Sequence, residues 1–155
     1  MTLLSNVVRA DASPQPDEGA RVRPHSEPAT ACLPYRPESV AAARRFVATK
    51  LREWGLDDLL DDASVIVSEL ATNAVKTGCQ TRMVVAVRRP SSRIVRILVG
   101  DGCRSMPAMV DVGPDRTSGR GLAIVHRLTR GRWGVTLLPL GKIVHADLAV
   151  AEPPS

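Results

Sequence analysis

The sequence predicts an α+β domain built as a two-layer sandwich, in which a mixed or antiparallel β-sheet is covered by helices. Two stretches before residue 78 repeat apolar residues at the three- and four-residue spacing of helices. Two pairs of apolar, β-branched stretches follow, and a turn-forming segment joins each pair, which is typical of hairpins. Apolar residues make up 44% of the 155 residues, enough for one domain with its own core.

The first 28 residues are expected to differ from the rest of the chain. They contain four prolines among charged and small polar residues, a composition typical of a disordered tail. Ala29 to Tyr35 is a candidate edge strand, limited by Pro34 and Pro37, since proline has no N–H to donate to a ladder. We therefore expect a folded domain over residues 29–150 and a short C-terminal tail at 151–155.

Two helices are predicted next. Pro37 suits the first turn of the first helix and Gly55 suits its end. Its apolar face is formed by Val40, Ala43, Val47, Leu51 and Trp54. The second helix opens at Asp57, whose carboxylate suits a helix N-terminus, and runs to Thr77 before a glycine.

Two hairpins and a short helix complete the predicted domain. A turn is predicted at 90–92 between the strands of the first hairpin and at 139–141 between those of the second. The segment 103–118 shows little periodicity and reads as a long connection, of the kind that often forms a lid or a binding loop. A short helix with an apolar face is expected at 122–128. The four strands are expected at residues 81–89, 93–99, 133–138 and 142–150.

Aromatic content, net charge and cysteine number each argue for or against particular classes of protein. Aromatic residues make up only 3% of the chain, which argues against binding nucleic acid by base stacking. The formal net charge of +5 suits an anionic ligand or an acidic protein partner, with weak DNA binding as a lesser alternative. Three scattered cysteines without a C-x-x-C fit a reducing cytosol better than a disulfide framework or a zinc site. With neither a secretory signal nor an apolar run of ~20 residues, we expect a cytoplasmic protein.

Glu69 and Asn73 are the first candidates for chemistry. They are four residues apart on the second predicted helix, so their side chains lie one above the other at the margin of its apolar face. An amide oxygen is a suitable ligand for Mg²⁺, and a neighbouring carboxylate could position or deprotonate a nucleophile. The alternative is a half-exposed polar pair near a helix end.

Two further motifs could contact a nucleotide. Gly119-x-Gly121 precedes a predicted helix, where glycines let the backbone approach an anion and the first N–H groups face it. Asp101 ends a predicted strand between Gly100 and Gly102, and its carboxylate could accept a hydrogen bond from the amino group of adenine. The alternatives are a flexible loop before a helix and an Asp-Gly turn. The chain has no G-x-x-x-x-G-K-[ST] motif.

The order of these motifs resembles the GHKL (histidine-kinase-like) ATPase fold. Within that fold, the chain is similar to the small bacterial anti-sigma factor serine/threonine kinases. The resemblance covers roughly residues 29–150. It is carried by the segments SELATNAVKTG (68–78), ILVGDGCRSMP (97–107), GRGLAIVHRL (119–128), RWGV (132–135) and GKIVHADL (141–148).

The resemblance implies a role for each candidate residue. Asn73 would hold the Mg²⁺ that bridges the ATP phosphates, and Glu69 would act as general base or orient the nucleophile. Asp101 would bind the adenine amino group, and Lys76 could reach a phosphate. The phosphate side of a short ATP lid would be lined by Gly119, Arg120, Gly121 and Leu122.

Three positions depart from the pattern of the family. Cys103 stands where the glycine of Asp-x-Gly is usual, Ile143 where a threonine often follows Gly-Lys, and Thr77 where a histidine is common. These departures bear on nucleotide affinity more than on the fold.

The function implied by the resemblance is partner switching by phosphorylation. The protein would sequester a sigma factor and phosphorylate a STAS-domain anti-anti-sigma antagonist on serine or threonine, and a homodimer is compatible with the family. The first alternative is a non-catalytic, nucleotide-gated or nucleotide-free binding module that regulates transcription. The second is a DNA-binding regulator, suggested only by the positive charge.

Overall fold

The structure is a computed structural model that describes residues 27–77, 82–101, 117–139 and 141–151. Several predictions from sequence lie outside these ranges. They are the nature of the N-terminal tail, the residue at 78 after the second helix, the departure at Cys103 and most of the connection 103–118. The domain boundaries stay predictions.

Five strands of the described residues form one antiparallel sheet, so the sheet is antiparallel rather than mixed. The strands are β1 (Ala29–Pro34), β2 (Arg82–Ser91), β3 (Ile94–Asp101), β4 (Trp133–Leu138) and β5 (Gly141–Ala149). Their spatial order is β1-β2-β3-β5-β4, with each neighbouring pair antiparallel. The predicted edge strand, β1, is at one edge, and both predicted hairpins are confirmed. The ends of β3 and β5 therefore lie side by side near the middle of the sheet.

In the part of the chain that the structure describes, three α-helices pack on one face of this sheet, so the predicted two-layer α+β fold is confirmed. The helices are α1 (Glu38–Glu53), α2 (Leu60–Thr77) and α3 (Thr117–Thr129). A single turn of 3-10 helix at Asp57–Leu59 leads into α2. The α2 helix is central, because it contacts both other helices as well as β3 and β5. Within the described part of the chain, no helix is long and apolar enough to span a membrane.

The main core lies between the helices and the sheet. The predicted face of α1 is confirmed, since Ala43, Val47, Leu51 and Trp54 are buried there. Gly55 ends α1 as predicted. It has a φ of +69°, and the Leu56 N–H donates to the Leu51 carbonyl at 2.8 Å across the turn. A left-handed glycine with this bond is a common end of a helix.

Leu51→Ala is expected to lower the free energy of unfolding by about 2–5 kcal/mol, because it leaves a cavity in this core. The Leu51 side chain is 0% exposed. Urea unfolding followed by circular dichroism measures the change. Leu137→Ala is the matched control, because Leu137 is 48% exposed and its truncation should change stability by less than about 0.5 kcal/mol. Equal losses in the two variants would contradict this assignment of the core.

The first hairpin turn is later than the sequence suggested. The turn predicted at 90–92 is wrong, because β2 continues through Ser91 and only Ser92 and Arg93 form the turn. The pairing register of β2 with β3 shifts between Arg88 and Ser91. Such an irregularity accommodates Pro90, which has no N–H for the ladder.

The α3 helix also begins earlier than the sequence predicts. The sequence placed Gly119, Arg120 and Gly121 in a loop before a helix at 122–128, but α3 begins at Thr117 and includes all three. A glycine weakens a helix by only about 1 kcal/mol relative to alanine. The burial of Leu122 and Val125 in the core anchors the helix and outweighs that local preference.

The face of the sheet opposite the helices, here called the outer face, has a smaller apolar cluster. It consists of Val84, Ala86, Leu98, Leu138 and Ile143, all buried. Because side chains alternate along a strand, the neighbours of these residues point to the helices. This alternation decides which residues of β3 and β5 can reach the candidate site.

Candidate functional site

Glu69 and Asn73 lie on α2 as predicted. Both are half-buried, one turn apart, beside the fully buried Ile66, Leu70 and Ala74 of the same helix. Their side chains are therefore at the edge of the core, where they are held by a rigid helix and remain accessible to a ligand.

Gly121 of α3 lies directly against the Glu69 carboxyl group. A Cβ atom added at Gly121 would overlap the Glu69 Oε2 atom and lie 2.9 Å from its Cδ and 3.5 Å from its Cγ. A real Cβ does not come so close to another heavy atom, so only glycine fits while Glu69 keeps this position. The structure thus brings together two residues that separate motifs indicate, Glu69 as a candidate base and Gly121 as part of a candidate phosphate site.

A hydrogen-bond chain holds α1 against α2 next to Glu69. The Ser68 hydroxyl donates to the Ser64 carbonyl at 2.6 Å and accepts a bond from Arg44 Nη1 at 3.1 Å. This contact spans the two helices one residue before Glu69. It supports the orientation of the α2 surface that presents the carboxylate.

The other predicted lid and phosphate residues have different positions. Lys76 is exposed in the last turn of α2, and Gly119 and Arg120 are in the first turn of α3. Leu122 is buried in the core, only 1% exposed, so its side chain anchors α3 rather than lining a phosphate site. Any contribution of Leu122 to a lid comes from its backbone.

Asp101 is at the last position of β3 and is paired with Lys142 of β5. The Lys142 Nζ atom lies 3.2 Å from Asp101 Oδ1 and 3.2 Å from Oδ2. Both side chains are almost fully buried, with 3% of Asp101 and 4% of Lys142 exposed. A buried ion pair of this kind holds both groups in one position, because moving two opposite charges apart in a buried environment is unfavourable.

Lys142 is the functional candidate that the sequence analysis missed. The motif comparison pointed to Ile143, the residue after the Gly-Lys, but Ile143 is on the outer face in the smaller apolar cluster. Lys142 points to the helix side together with Val144, and its Cα is paired with that of Asp101. The alternation of β5 could have indicated this, because a shift of one residue exchanges the two faces.

The polar groups suit a magnesium ion held largely by a nucleotide. Among the residues that the structure describes, no group of three or more histidine, cysteine, aspartate or glutamate side chains could hold a metal ion. Mg²⁺ is often bound through one or two protein oxygens, with phosphate and water completing its shell. The Asn73 amide oxygen, beside a carboxylate on one helix, fits that kind of site.

These contacts make two groups on the helix side of the sheet. Glu69, Asn73 and Gly121 join α2 to the start of α3, and Asp101 and Lys142 join the ends of β3 and β5. The first group can hold a cation and accept a proton. The second can accept a hydrogen bond from an amino group.

Comparison with known proteins agrees with this arrangement. The family model described as the histidine kinase-like ATPase domain matches residues 33–131, which include α1, α2, β2, β3 and α3. Lys142 lies beyond the matched segment. No curated protein matches the chain significantly.

Proposed function

The chain belongs to the histidine kinase-like ATPase family, and from this premise we propose that it is an ATP- and Mg²⁺-dependent protein serine/threonine kinase. ATP binding follows from the family. The observation that carries the proposal further is the placement of the Glu69 carboxyl group against Gly121, at the junction of α2 and α3, with Asn73 one turn away.

In this proposal the transfer needs few protein groups. The hydroxyl oxygen of a serine or threonine attacks the γ-phosphorus of ATP, the bond to the bridging oxygen breaks, and ADP leaves. Glu69 orients the hydroxyl and accepts its proton, and Asp101 accepts a hydrogen bond from the 6-amino group of adenine. Mg²⁺, when bound at Asn73, neutralises phosphate charge. Positioning and charge neutralisation supply most of the catalysis in phosphoryl transfer, so this set suffices.

The proposed partners are a sigma factor, which the protein sequesters, and a STAS-domain antagonist, which it phosphorylates. The similarity of the sequence motifs to bacterial anti-sigma factor kinases supports this proposal. The exposed basic residues of α1, including Arg44, Arg45 and Arg52, offer a surface for an acidic partner. Phosphorylation adds about two negative charges at the modified residue, enough to change partner choice. This switch would operate in the cytoplasm.

A non-catalytic partner-switching module is the second candidate. The observation that favours it is the Asp101–Lys142 ion pair, because Lys142 already contacts both oxygens of the carboxylate assigned to adenine. If this pairing prevented nucleotide recognition, partner binding would proceed without phosphotransfer. Purified protein that binds its antagonist but never transfers ³²P from [γ-³²P]ATP to it would support this candidate.

Mg²⁺–ATP is expected to raise the melting temperature of the protein. A ligand at 100 times its dissociation constant adds about 2.7 kcal/mol, or roughly 5–10 °C for a domain of this size. Differential scanning fluorimetry with and without Mg²⁺ measures the shift, with Mg²⁺–GTP as the control nucleotide. A Mg²⁺-dependent shift with ATP alone supports the site. The absence of any shift at millimolar ATP would favour the module without nucleotide.

A further inference from the structure

The outer face of the sheet is buried, although the helices that the structure describes all lie on the opposite face. Leu98 of β3 and Ile143 of β5 are 2% and 3% exposed there, and Ala86 of β2 is 1% exposed. Side chains on an uncovered face of an antiparallel sheet project into solvent, and their neighbours in the same sheet cannot screen them to this extent. Burial of this kind requires a further layer over the outer face.

The buried part of the outer face is a strip along the middle of the sheet. Thr30 of β1 and Thr136 of β4 are also on this face, because their Cα atoms are paired with those of Ala86 and Ile143. Both threonines are exposed, so the strip covers β2, β3 and β5 and stops at the two edge strands. Three strands span about 10 Å, which is about the diameter of one helix or chain segment.

The strip has an apolar half and a charged half. The apolar half is the smaller cluster on the outer face, and the charged half is formed by Arg88, Arg96 and Asp147 near the other ends of the same three strands. Arg96 Nε and Nη2 donate to the Asp147 carboxylate at 2.8 and 3.0 Å. Arg88 is paired in register with Arg96 and is 6% exposed. These three side chains carry one net positive charge, which favours a covering segment that contains carboxylates.

The first 26 residues of the chain, which lie outside the described ranges, have matching chemistry in a matching order. They lead into β1, whose first residue, Ala29, is paired with Val87 and so lies at the charged end of the strip, next to Arg88. Counting back from β1, residues 10–20 contain three acidic residues and no basic ones. Still further back, residues 3–8 contribute four apolar side chains, Leu3, Leu4, Val7 and Val8.

We propose that the N-terminal segment of this chain docks along the outer face as a third layer. Residues 10–20 lie over Arg88 and Arg96, and residues 3–8 pack on the apolar cluster. Composition by itself predicts a disordered tail, so the docked order comes from the sheet and not from the segment. Covering the cluster also keeps an apolar patch of the sheet from associating with other molecules.

The reach of the segment and its attachment to β1 both favour this occupant. Ten extended residues span about 33 Å, whereas β1 and β5 are three strand spacings, or about 14 Å, apart. A tethered segment is present at an effective concentration in the millimolar range, so modest contacts suffice to dock it. A second copy of the chain has no such advantage at ordinary protein concentrations.

The test is paramagnetic relaxation in the full chain. A nitroxide is attached to Ser5→Cys in a background that carries Cys32→Ser, Cys79→Ser and Cys103→Ser. We expect the methyl signals of Leu98 and Ile143 to be lost through broadening and to return when the nitroxide is reduced. The signal of Val65 should persist, because this side chain is exposed on α2 in the helix layer.

Two pairs of substitutions in the segment separate apolar docking from charge. Leu3→Asp with Leu4→Asp removes two apolar side chains, and each buried leucine accounts for roughly tenfold or more in the docking equilibrium. This variant should therefore recover the Leu98 and Ile143 signals. Thr2→Asp with Asn6→Asp is the matched control, because it adds the same two charges to the same segment and keeps the leucines. Its signals should stay broadened.

Three results would overturn the inference. The first is sharp Leu98 and Ile143 signals with the nitroxide at position 5. The second is equal broadening in the two paired variants. The third is broadening that passes between molecules, seen when spin-labelled protein without ¹³C is mixed with ¹³C-labelled protein without a nitroxide, since a second copy would then be the occupant. The nucleotide site takes no part in this experiment, so the proposed kinase is tested separately.

Discussion

Replacing Glu69 with glutamine is expected to lower the rate of phosphotransfer by about 10²- to 10⁴-fold, the usual contribution of a positioned general base. Glutamine has nearly the same shape but cannot accept the hydroxyl proton. Glu69 is half-buried on a rigid helix, so the fold and the binding of Mg²⁺–ATP should change little. Transfer of ³²P from [γ-³²P]ATP to the antagonist gives the rate, and calorimetry gives the ATP affinity.

The matched control for this variant is Glu53→Gln. Glu53 is an exposed glutamate at the end of α1, where it is paired with Lys50 at 3.2 Å. The Glu53→Gln substitution removes one carboxylate of the same kind from the surface and should leave the transfer rate unchanged. A Glu69→Gln protein with wild-type transfer would exclude Glu69 as the base. Binding of the proposed sigma-factor partner is expected to survive in both variants.

Gly121→Ala is expected to reduce the proposed phosphotransfer by about 10²-fold or more, because the new methyl group displaces the carboxylate that we propose as the base. The added Cβ would overlap Glu69 Oε2. The clash involves the end of a flexible side chain, so Glu69 can turn away and the protein should still fold. The same transfer assay measures the loss, and circular dichroism confirms that the helices are retained.

A double-mutant cycle separates this clash from other effects of the substitution. In a helix, alanine is about 0.8–1 kcal/mol more favourable than glycine when nothing obstructs its methyl group. In the Glu69→Ala background the obstruction is gone, so Gly121→Ala should stabilise the protein by about that amount. In the wild-type background the gain should be smaller or reversed, as measured by urea unfolding. Equal effects in the two backgrounds would show that Gly121 and Glu69 are not in contact.

Most of the architecture could be predicted because it depends on local patterns. The three- and four-residue spacing of Ala43, Val47 and Leu51 predicted the buried face of α1 without any knowledge of what it packs against. The end of α1 at Gly55 was predictable in the same way, since a left-handed residue favours glycine. The motifs themselves also indicated the family, because their order along the chain is a property of the sequence.

Local patterns misled where packing opposes them. Gly119 and Gly121 are typical of a loop, yet both are helical, because the buried Leu122 and Val125 anchor α3 in the core. Pro90 is typical of a turn, yet it remains in β2 next to an irregular register. In each case the tertiary context outweighed the local preference, which for glycine in a helix is only about 1 kcal/mol relative to alanine.

The sequence by itself determined the elements, the family and the residues Glu69, Asn73 and Asp101 as candidates for chemistry. Only the tertiary structure decided which residues contact these candidates. Lys142 reaches Asp101 from 41 residues away, and it does so only because β5 lies beside β3 in a particular register. Gly121 meets Glu69 only because α3 packs against α2. Such contacts depend on the summed packing of the whole domain, and no short stretch of sequence contains that information.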